Sequence, residues 1–111
     1  LKNVIGKAVS QYSKKLSVKA QKIYIRKQNT KWASCSKSRN LSFNIRLFFL
    51  PEKLINYVVF HEMVHLKERK HNFFFWSLIE KEFKDYKKME KKLLNYWFYL
   101  TKIDKGGEYE L

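Results

Sequence analysis

The chain has 111 residues, of which 45% are hydrophobic, and its 24 Lys and Arg against 10 Asp and Glu give a formal net charge of +14. This length supports one core rather than two, so we expect a single domain spanning residues 1–111. The lone Cys35 excludes an internal disulfide, and no apolar stretch reaches the roughly 18 residues of a membrane span or resembles a secretory signal, which predicts a cytoplasmic protein with no membrane partner.

The first half of the chain predicts one helix followed by three strands. Apolar residues recur at helical spacing between Val4 and Leu16, so residues 2 to about 17 form an amphipathic helix that backs a sheet. Residues 23–26 alternate as a first strand, and a turn at Asn29 leads to a second strand over residues 31–35. Residues 41–49 alternate with period two and predict the third and longest strand.

The second half predicts helices only. Pro51 suits a helix start, and residues 54–66 are apolar nearly all round, so this helix should run through the middle of the domain and end at about Lys67. Two further helices should meet at a break near Lys84, and residues 105–111 form a loose tail. The predicted fold class is α+β, with a small, mainly antiparallel three-stranded sheet packed on an N-terminal helix, a buried central helix and C-terminal helices.

The central helix carries a pattern typical of a catalytic zinc site. All three histidines lie between His61 and His71, and His61 and His65, four residues apart, share one helical face. His71 would approach after the helix ends and the chain turns back. Three protein ligands leave one position of a zinc ion open, which marks catalytic rather than structural zinc. The alternative is a chance match with packed core histidines, but the chain has no histidine elsewhere.

Two further residues are candidates for catalysis. Glu62, next to the first histidine, is placed to take a proton from a zinc-bound water that attacks a substrate carbonyl. The resulting oxyanion needs a second donor, for which Tyr86 is the candidate because it lies downstream of the third histidine. A tyrosine on an apolar helical stripe is more often a core residue, so that alternative stays open.

Several segments together carry a family resemblance over roughly residues 30–86. They are Trp32-Ala33-Ser34-Cys35-Ser36, Phe43-Asn44-Ile45-Arg46-Leu47, Tyr57-Val58-Val59 leading into His61-Glu62, and His71-Asn72 followed by Phe75-Trp76. The chain thereby resembles the YgjP-like minimal metallopeptidases, relatives of the SprT-like proteins, and the small zinc peptidases called minigluzincins. The resemblance implies a zinc-dependent peptidase in which the three histidines bind the metal and Glu62 is the general base. Phe73 and Phe74 depart from the family pattern of small or polar residues.

The expected substrate is an extended or unfolded polypeptide. Peptidases of this kind hold a peptide against an exposed sheet edge, which residues 30–36 or 41–47 could supply. Pairing through backbone groups predicts loose sequence preference, and the positive charge favours acidic substrates.

A concentration-dependent homo-oligomer is also expected, because one small core cannot enclose all the aromatic side chains, and such packing could keep the enzyme latent. The residues concerned are Phe48, Phe73, Phe74, Trp97, Phe98 and Tyr99.

Two alternatives belong to other functional classes. A basic nucleic-acid-binding module with a structural zinc is compatible with the charge, but it needs a fourth protein ligand that the sequence does not offer. A catalytically silent interaction protein of the same fold is the second alternative, against which the intact Glu62 argues.

Overall fold

Four α-helices and three strands build the fold. The computed structural model describes the backbone of residues 1–109 and the side chains of residues 1–102. In chain order the elements are α1 (Lys2–Leu16), β1 (Lys22–Arg26), β2 (Ala33–Cys35), β3 (Asn40–Asn44), a 3₁₀ helix (Ile45–Phe49), α2 (Glu52–His65), α3 (Phe73–Glu82) and α4 (Tyr86–Tyr109).

The sheet has the order β1-β3-β2 and is mixed. β2 and β3 are antiparallel because a tight turn joins them, in which Arg39 adopts a φ of 67°. β1 is parallel to β3, because the chain crosses to the far side of β3 before the hairpin begins. The predicted α+β class with three strands is confirmed, and the sheet is mixed rather than mainly antiparallel.

The third strand is shorter than the alternation over residues 41–49 predicts, because it ends at Asn44. The Asn44 side chain accepts a hydrogen bond from Arg46 N and donates to the carbonyls of Gln28 and Lys31. These bonds turn the chain into the 3₁₀ helix. The buried residues that follow are Leu47 and Leu50, three apart, which is the spacing of a 3₁₀ turn rather than of a strand.

The α2 helix lies at the centre of the domain, as its apolar sequence predicts. Nine of its residues are buried, including Tyr57, Phe60 and Glu62. The α1 helix packs chiefly along α2, with the Tyr12 and Phe60 rings 4.8 Å apart. The start of α1 also lies beside β1, where Ile5 and Ile23 line one surface cavity. β2 is the strand with the most extensive contact to α2, and this contact brings the sheet to the site.

The helices after α2 follow the predicted division. The α2 helix ends at His65, and a break between Glu82 and Tyr86 separates α3 from α4. The predicted tail is wrong for residues 105–109, because the α4 backbone continues to Tyr109, while Glu110 and Leu111 lie outside the described residues. Among the helices that the structure describes, none combines the length and apolar character that crossing a membrane requires.

Candidate metal centre

The last turn of α2 and the loop behind it bring the three imidazoles together. His61 and His65 project from the same face of α2, with ring centroids 5.1 Å apart. The chain turns at Leu66 and returns, so that Nε2 of His71 lies 3.1 Å from Nε2 of His65. The three histidines offer ligand atoms that all lie within 4.8 Å of one another, and together they could hold a metal ion.

This spacing suits a zinc ion. Tetrahedral zinc with Zn–N bonds of about 2.0–2.1 Å separates two ligand nitrogens by roughly 3.3 Å, close to the 3.1 Å between His65 and His71. Metal binding needs the neutral imidazole, and burial lowers the pKa of His65, although the Glu62 carboxylate acts in the opposite direction. Three neutral nitrogens leave a coordination position for water, as a catalytic zinc requires.

The return loop fixes the orientation of His65. Its Nδ1 lies 3.2 Å from the carbonyl oxygen of Glu68, which can only accept a hydrogen bond. Nδ1 therefore carries the proton, and Nε2 is left bare toward His71. The Glu68 carboxylate accepts a hydrogen bond from the Asn72 side chain, so the loop between the second and third histidines is closed on itself.

Two arginines attach this loop to the β2–β3 hairpin. Arg69 donates to the carbonyls of Ser36 and Cys35 at 2.9 and 3.3 Å. Arg39 donates to the carbonyl of Leu66, at the end of α2, at 3.2 Å. The position of His71 relative to α2 therefore depends on contacts with the sheet as well as on the loop itself.

Aromatic rings of α3 form the floor and one wall of the site. Asn72 caps α3 by accepting from the amide of Phe75 at 3.0 Å. The Phe75 side chain is fully buried, and its centroid lies 5.0, 4.5 and 4.8 Å from the rings of His61, His65 and His71. Sequence reasoning placed Phe75 among the segments that carry the family resemblance but gave it no role at the site, because its contact with all three imidazoles depends on the turn after α2.

Glu62 is buried beside the imidazoles. It is 7% exposed, and among the described residues only Asn44 is a second buried polar side chain. Its Oε2 atom lies 3.2 Å from Nδ1 of His61. A carboxylate in an apolar helix, with an imidazole as its neighbour, can exchange protons beside the imidazole cluster.

Tyr86 lies one ring away from the histidines. Its ring stacks on Trp76 with centroids 5.3 Å apart, and Trp76 in turn stacks on His71 at 5.8 Å. The ring contacts therefore place the candidate oxyanion donor on the wall of the site, behind Trp76.

Sequence reasoning missed a second carboxylate at the site. Glu90 of α4 accepts a hydrogen bond from the hydroxyl of Tyr57. Burial and this bond raise the pKa of Tyr57, so the phenol remains the donor. Glu90 also borders a small cavity of about 120 Å³ that reaches His61 and Glu62. One feature of the sequence could have indicated Glu90: it follows the candidate Tyr86 by four residues, which places both side chains on one face of a helix.

β2 has the free edge nearest the site. Trp32 pairs with Asn44 and Ser36 pairs with Asn40 through backbone hydrogen bonds to β3. Because antiparallel pairing alternates, the backbone groups of Ala33 and Cys35 point away from β3. The expected edge over residues 41–47 is wrong, since β3 is paired on both sides and the chain then leaves the sheet.

Residues 1–96 match the protein family described as YgjP-like, metallopeptidase domain. Two crystal structures share the fold. The metallopeptidase zymogen abylysin of Pyrococcus abyssi is 23% identical, with a TM-score of 0.74 over 82% of this chain and 92% of that chain. The metallopeptidase zymogen jannalysin of Methanocaldococcus jannaschii is 22% identical, with a TM-score of 0.71 over 82% of this chain and 88% of that chain. No curated protein matches the sequence.

Proposed function

Because the match covers residues 1–96, the chain belongs to the YgjP-like metallopeptidases, and we propose that it is a zinc-dependent endopeptidase acting on extended or unfolded polypeptides. The family implies a metal ion and a polypeptide substrate. The observation that carries the proposal is the convergence of His61, His65 and His71 within 4.8 Å, beside the buried Glu62.

The proposed catalytic role of each side chain follows from its position. The three histidines would hold the zinc, which would supply Lewis-acid chemistry that lowers the pKa of a water toward about 7. Glu62 takes the proton from the attacking water and passes it to the leaving amine. Tyr86 donates a hydrogen bond to the oxyanion of the tetrahedral intermediate. The position of Tyr86 supports this role, because its ring stacks on Trp76, the indole that in turn stacks on His71.

The substrate would bind as an additional strand at the edge of β2. A peptide can pair with three outward backbone groups: the amide and the carbonyl of Ala33 and the amide of Cys35. The Cys35 carbonyl already accepts a hydrogen bond from Arg69. Antiparallel pairing is the slightly more stable arrangement per residue. Recognition through so few backbone groups supports the proposal of loose sequence preference.

The same proposal includes a cytoplasmic location and latency through self-association. The single free cysteine, Cys35, supports a reducing compartment. Self-association is supported by the aromatic side chains that remain exposed, among them Phe73 at 89%. The nucleic-acid-binding alternative is supported only by the net charge of +14.

A denatured protein incubated with the zinc-loaded enzyme tests the peptidase activity. Wild type should cleave it, and Glu62→Gln should lose roughly a hundredfold to ten-thousandfold in rate, because the general base is gone. Zinc binding by the variant, measured by calorimetry, should persist, because the histidines remain. Glu52→Gln, the same change at the exposed start of α2, is the matched control.

Two results would count against the proposal. Equal cleavage by wild type and Glu62→Gln would assign the activity to a contaminating protease. Zinc binding without cleavage at any protein concentration would favour a catalytically silent interaction protein.

A further inference from the structure

The small cavity bordered by Glu90 adjoins the proposed catalytic residues, since His61 and Glu62 also line it. Its walls come from three elements: Trp32 and Ala33 at the start of β2, Tyr57 and Glu62 on α2, and Glu90 on α4. The volume of about 120 Å³ equals roughly four water molecules at about 30 Å³ each. A lysine side chain has four heavy atoms beyond Cβ, so the cavity is of the size that such a side chain occupies.

Glu90 gives this cavity a negative charge without a cationic partner. One carboxylate oxygen accepts from the Tyr57 hydroxyl. Within residues 1–102, no Lys or Arg forms an ion pair with Glu90, although the chain has 24 such residues. The nearby Trp32 and Leu93 carry no charge, and the other carboxylate that lines the cavity is Glu62, the proposed general base. A group that enters the cavity therefore meets an acceptor whose remaining oxygen is available.

The cavity lies at one end of the substrate edge. It reaches Trp32 and Ala33 at the start of β2, whereas Arg69 holds the carbonyl of Cys35 at the other end. A peptide that runs antiparallel to β2 passes Cys35 first and Ala33 afterwards. The cavity would thus receive the side chain that follows the cleaved bond.

We propose that Glu90 is a specificity-determining residue that selects a lysine or arginine side chain immediately after the cleaved peptide bond. This inference rests on the proposed endopeptidase function. The charge of the whole chain attracts acidic polypeptides over long range, while Glu90 acts only on the side chain inside the cavity. An acidic, unfolded polypeptide with a single basic residue at the cleaved position satisfies both requirements.

Digestion of a denatured protein, with the new termini mapped by mass spectrometry, tests the proposal. Wild type should cleave before Lys and Arg about tenfold more often than their abundance predicts. Glu90→Gln should remove this preference, and Glu90→Lys should replace it with a preference for Asp or Glu. Glu80→Gln removes the same charge from the exposed face of α3 and should keep the wild-type preference.

Tyr57→Phe distinguishes a role of Glu90 in substrate recognition from a purely structural role. This variant breaks the tie between α2 and α4 but leaves the Glu90 charge, so the preference should persist even if stability falls. If Tyr57→Phe and Glu90→Gln abolish the preference equally, the pair is only a structural link and the proposal is overturned. Cleavage by wild type with no basic preference, or with the preference before the cleaved bond, also overturns it.

A binding measurement keeps the inference independent of turnover. Glu62→Gln should bind a peptide with lysine at the cavity position about tenfold more tightly than the same peptide with norleucine, which lacks the charge. Adding Glu90→Gln should equalise the two affinities. Absence of cleavage by wild type contradicts the endopeptidase function, whereas equal affinities in Glu62→Gln contradict the role of Glu90.

Discussion

At the scale of single residues, the site depends on two buried polar side chains, one in the apolar helix α2 and one at the end of β3. Glu62 and Asn44 are the buried polar side chains among the described residues, and they have different tasks. Glu62 faces the imidazole cluster, where a carboxylate can exchange protons. Asn44 satisfies backbone groups at the corner between β3 and the 3₁₀ helix. Burying a polar group without such a partner costs free energy, so each position has an identifiable requirement.

Tyr86→Phe tests the oxyanion donor. If the Tyr86 hydroxyl stabilises the oxyanion, the variant should lose about a hundredfold to a thousandfold in kcat, with KM little changed, because the bond forms only in the transition state. The stacking on Trp76 is preserved by phenylalanine, so zinc affinity should not change. Tyr99→Phe, an exposed tyrosine on the same helix, is the control. Unchanged turnover in Tyr86→Phe would remove the role.

Asn44→Ala tests the corner that ends β3. The substitution leaves the Lys31 carbonyl and the Arg46 amide without their side-chain partner, while the Gln28 carbonyl keeps its bond from Arg46 Nη1, so the free energy of unfolding should fall by about 2 kcal/mol. Urea denaturation of the metal-free protein measures the loss. Asn95→Ala, on the exposed face of α4, should change stability by no more than about 0.5 kcal/mol. Equal losses in both variants would contradict the assignment.

At the scale of elements, the three clustered histidines are divided between the buried helix α2 and a loop. α2 is buried on most sides and presents His61 and His65 one turn apart. His71 belongs to the segment between α2 and α3, whose position is set by contacts with the hairpin and by the cap at Asn72. The placement of His71 is therefore the one that responds to changes elsewhere in the molecule.

Arg69→Gln tests this dependence. Losing the two bonds to the β2–β3 hairpin frees the loop that carries His71, and the zinc affinity should fall by about tenfold, as for other residues that orient metal ligands. Competition with a chromophoric chelator measures the affinity. Lys70→Gln removes the same charge from the neighbouring exposed position and serves as the control. Equal affinities of the two variants would show that charge, rather than the hairpin contact, matters.

At the scale of the whole molecule, apolar surface and charge oppose each other. Phe48, Phe73 and Phe98 are 66%, 89% and 64% exposed, which favours self-association. Phe74 and Tyr99 are exposed as well, whereas Trp97 packs edge-on against Trp32 with centroids 5.0 Å apart. The net charge of +14 repels a second copy of the chain over distances that salt controls.

Self-association should therefore increase with salt. The Debye length falls from about 10 Å at 0.1 M to about 3 Å at 1 M ionic strength, so repulsion between copies weakens while apolar contacts remain. Sedimentation at these two salt concentrations should show a larger oligomeric fraction at the higher one, where specific activity should also rise on dilution. A monomer under both conditions, up to high protein concentration, would contradict latency through self-association.

The sequence by itself determined the features that depend on neighbouring residues. Helical periodicity places His61 and His65 on one face, and the apolar run around them predicts the buried position of α2, because both follow from a repeat of 3.6 residues. The sequence also predicted the break between α3 and α4. The alternation over residues 41–49 misled, because the hydrogen bonds of Asn44 with segments earlier in the chain overrode the local pattern.

Only the tertiary structure decided which distant residues meet. Tyr57 and Glu90 are 33 residues apart and form a hydrogen bond across α2 and α4, and Arg69 reaches a carbonyl of β2 34 residues away. The central place of β3, which leaves β2 as the edge beside the site, is also a property of the whole sheet. Such contacts depend on how all the elements pack around one core, and no repeat within a single segment encodes them.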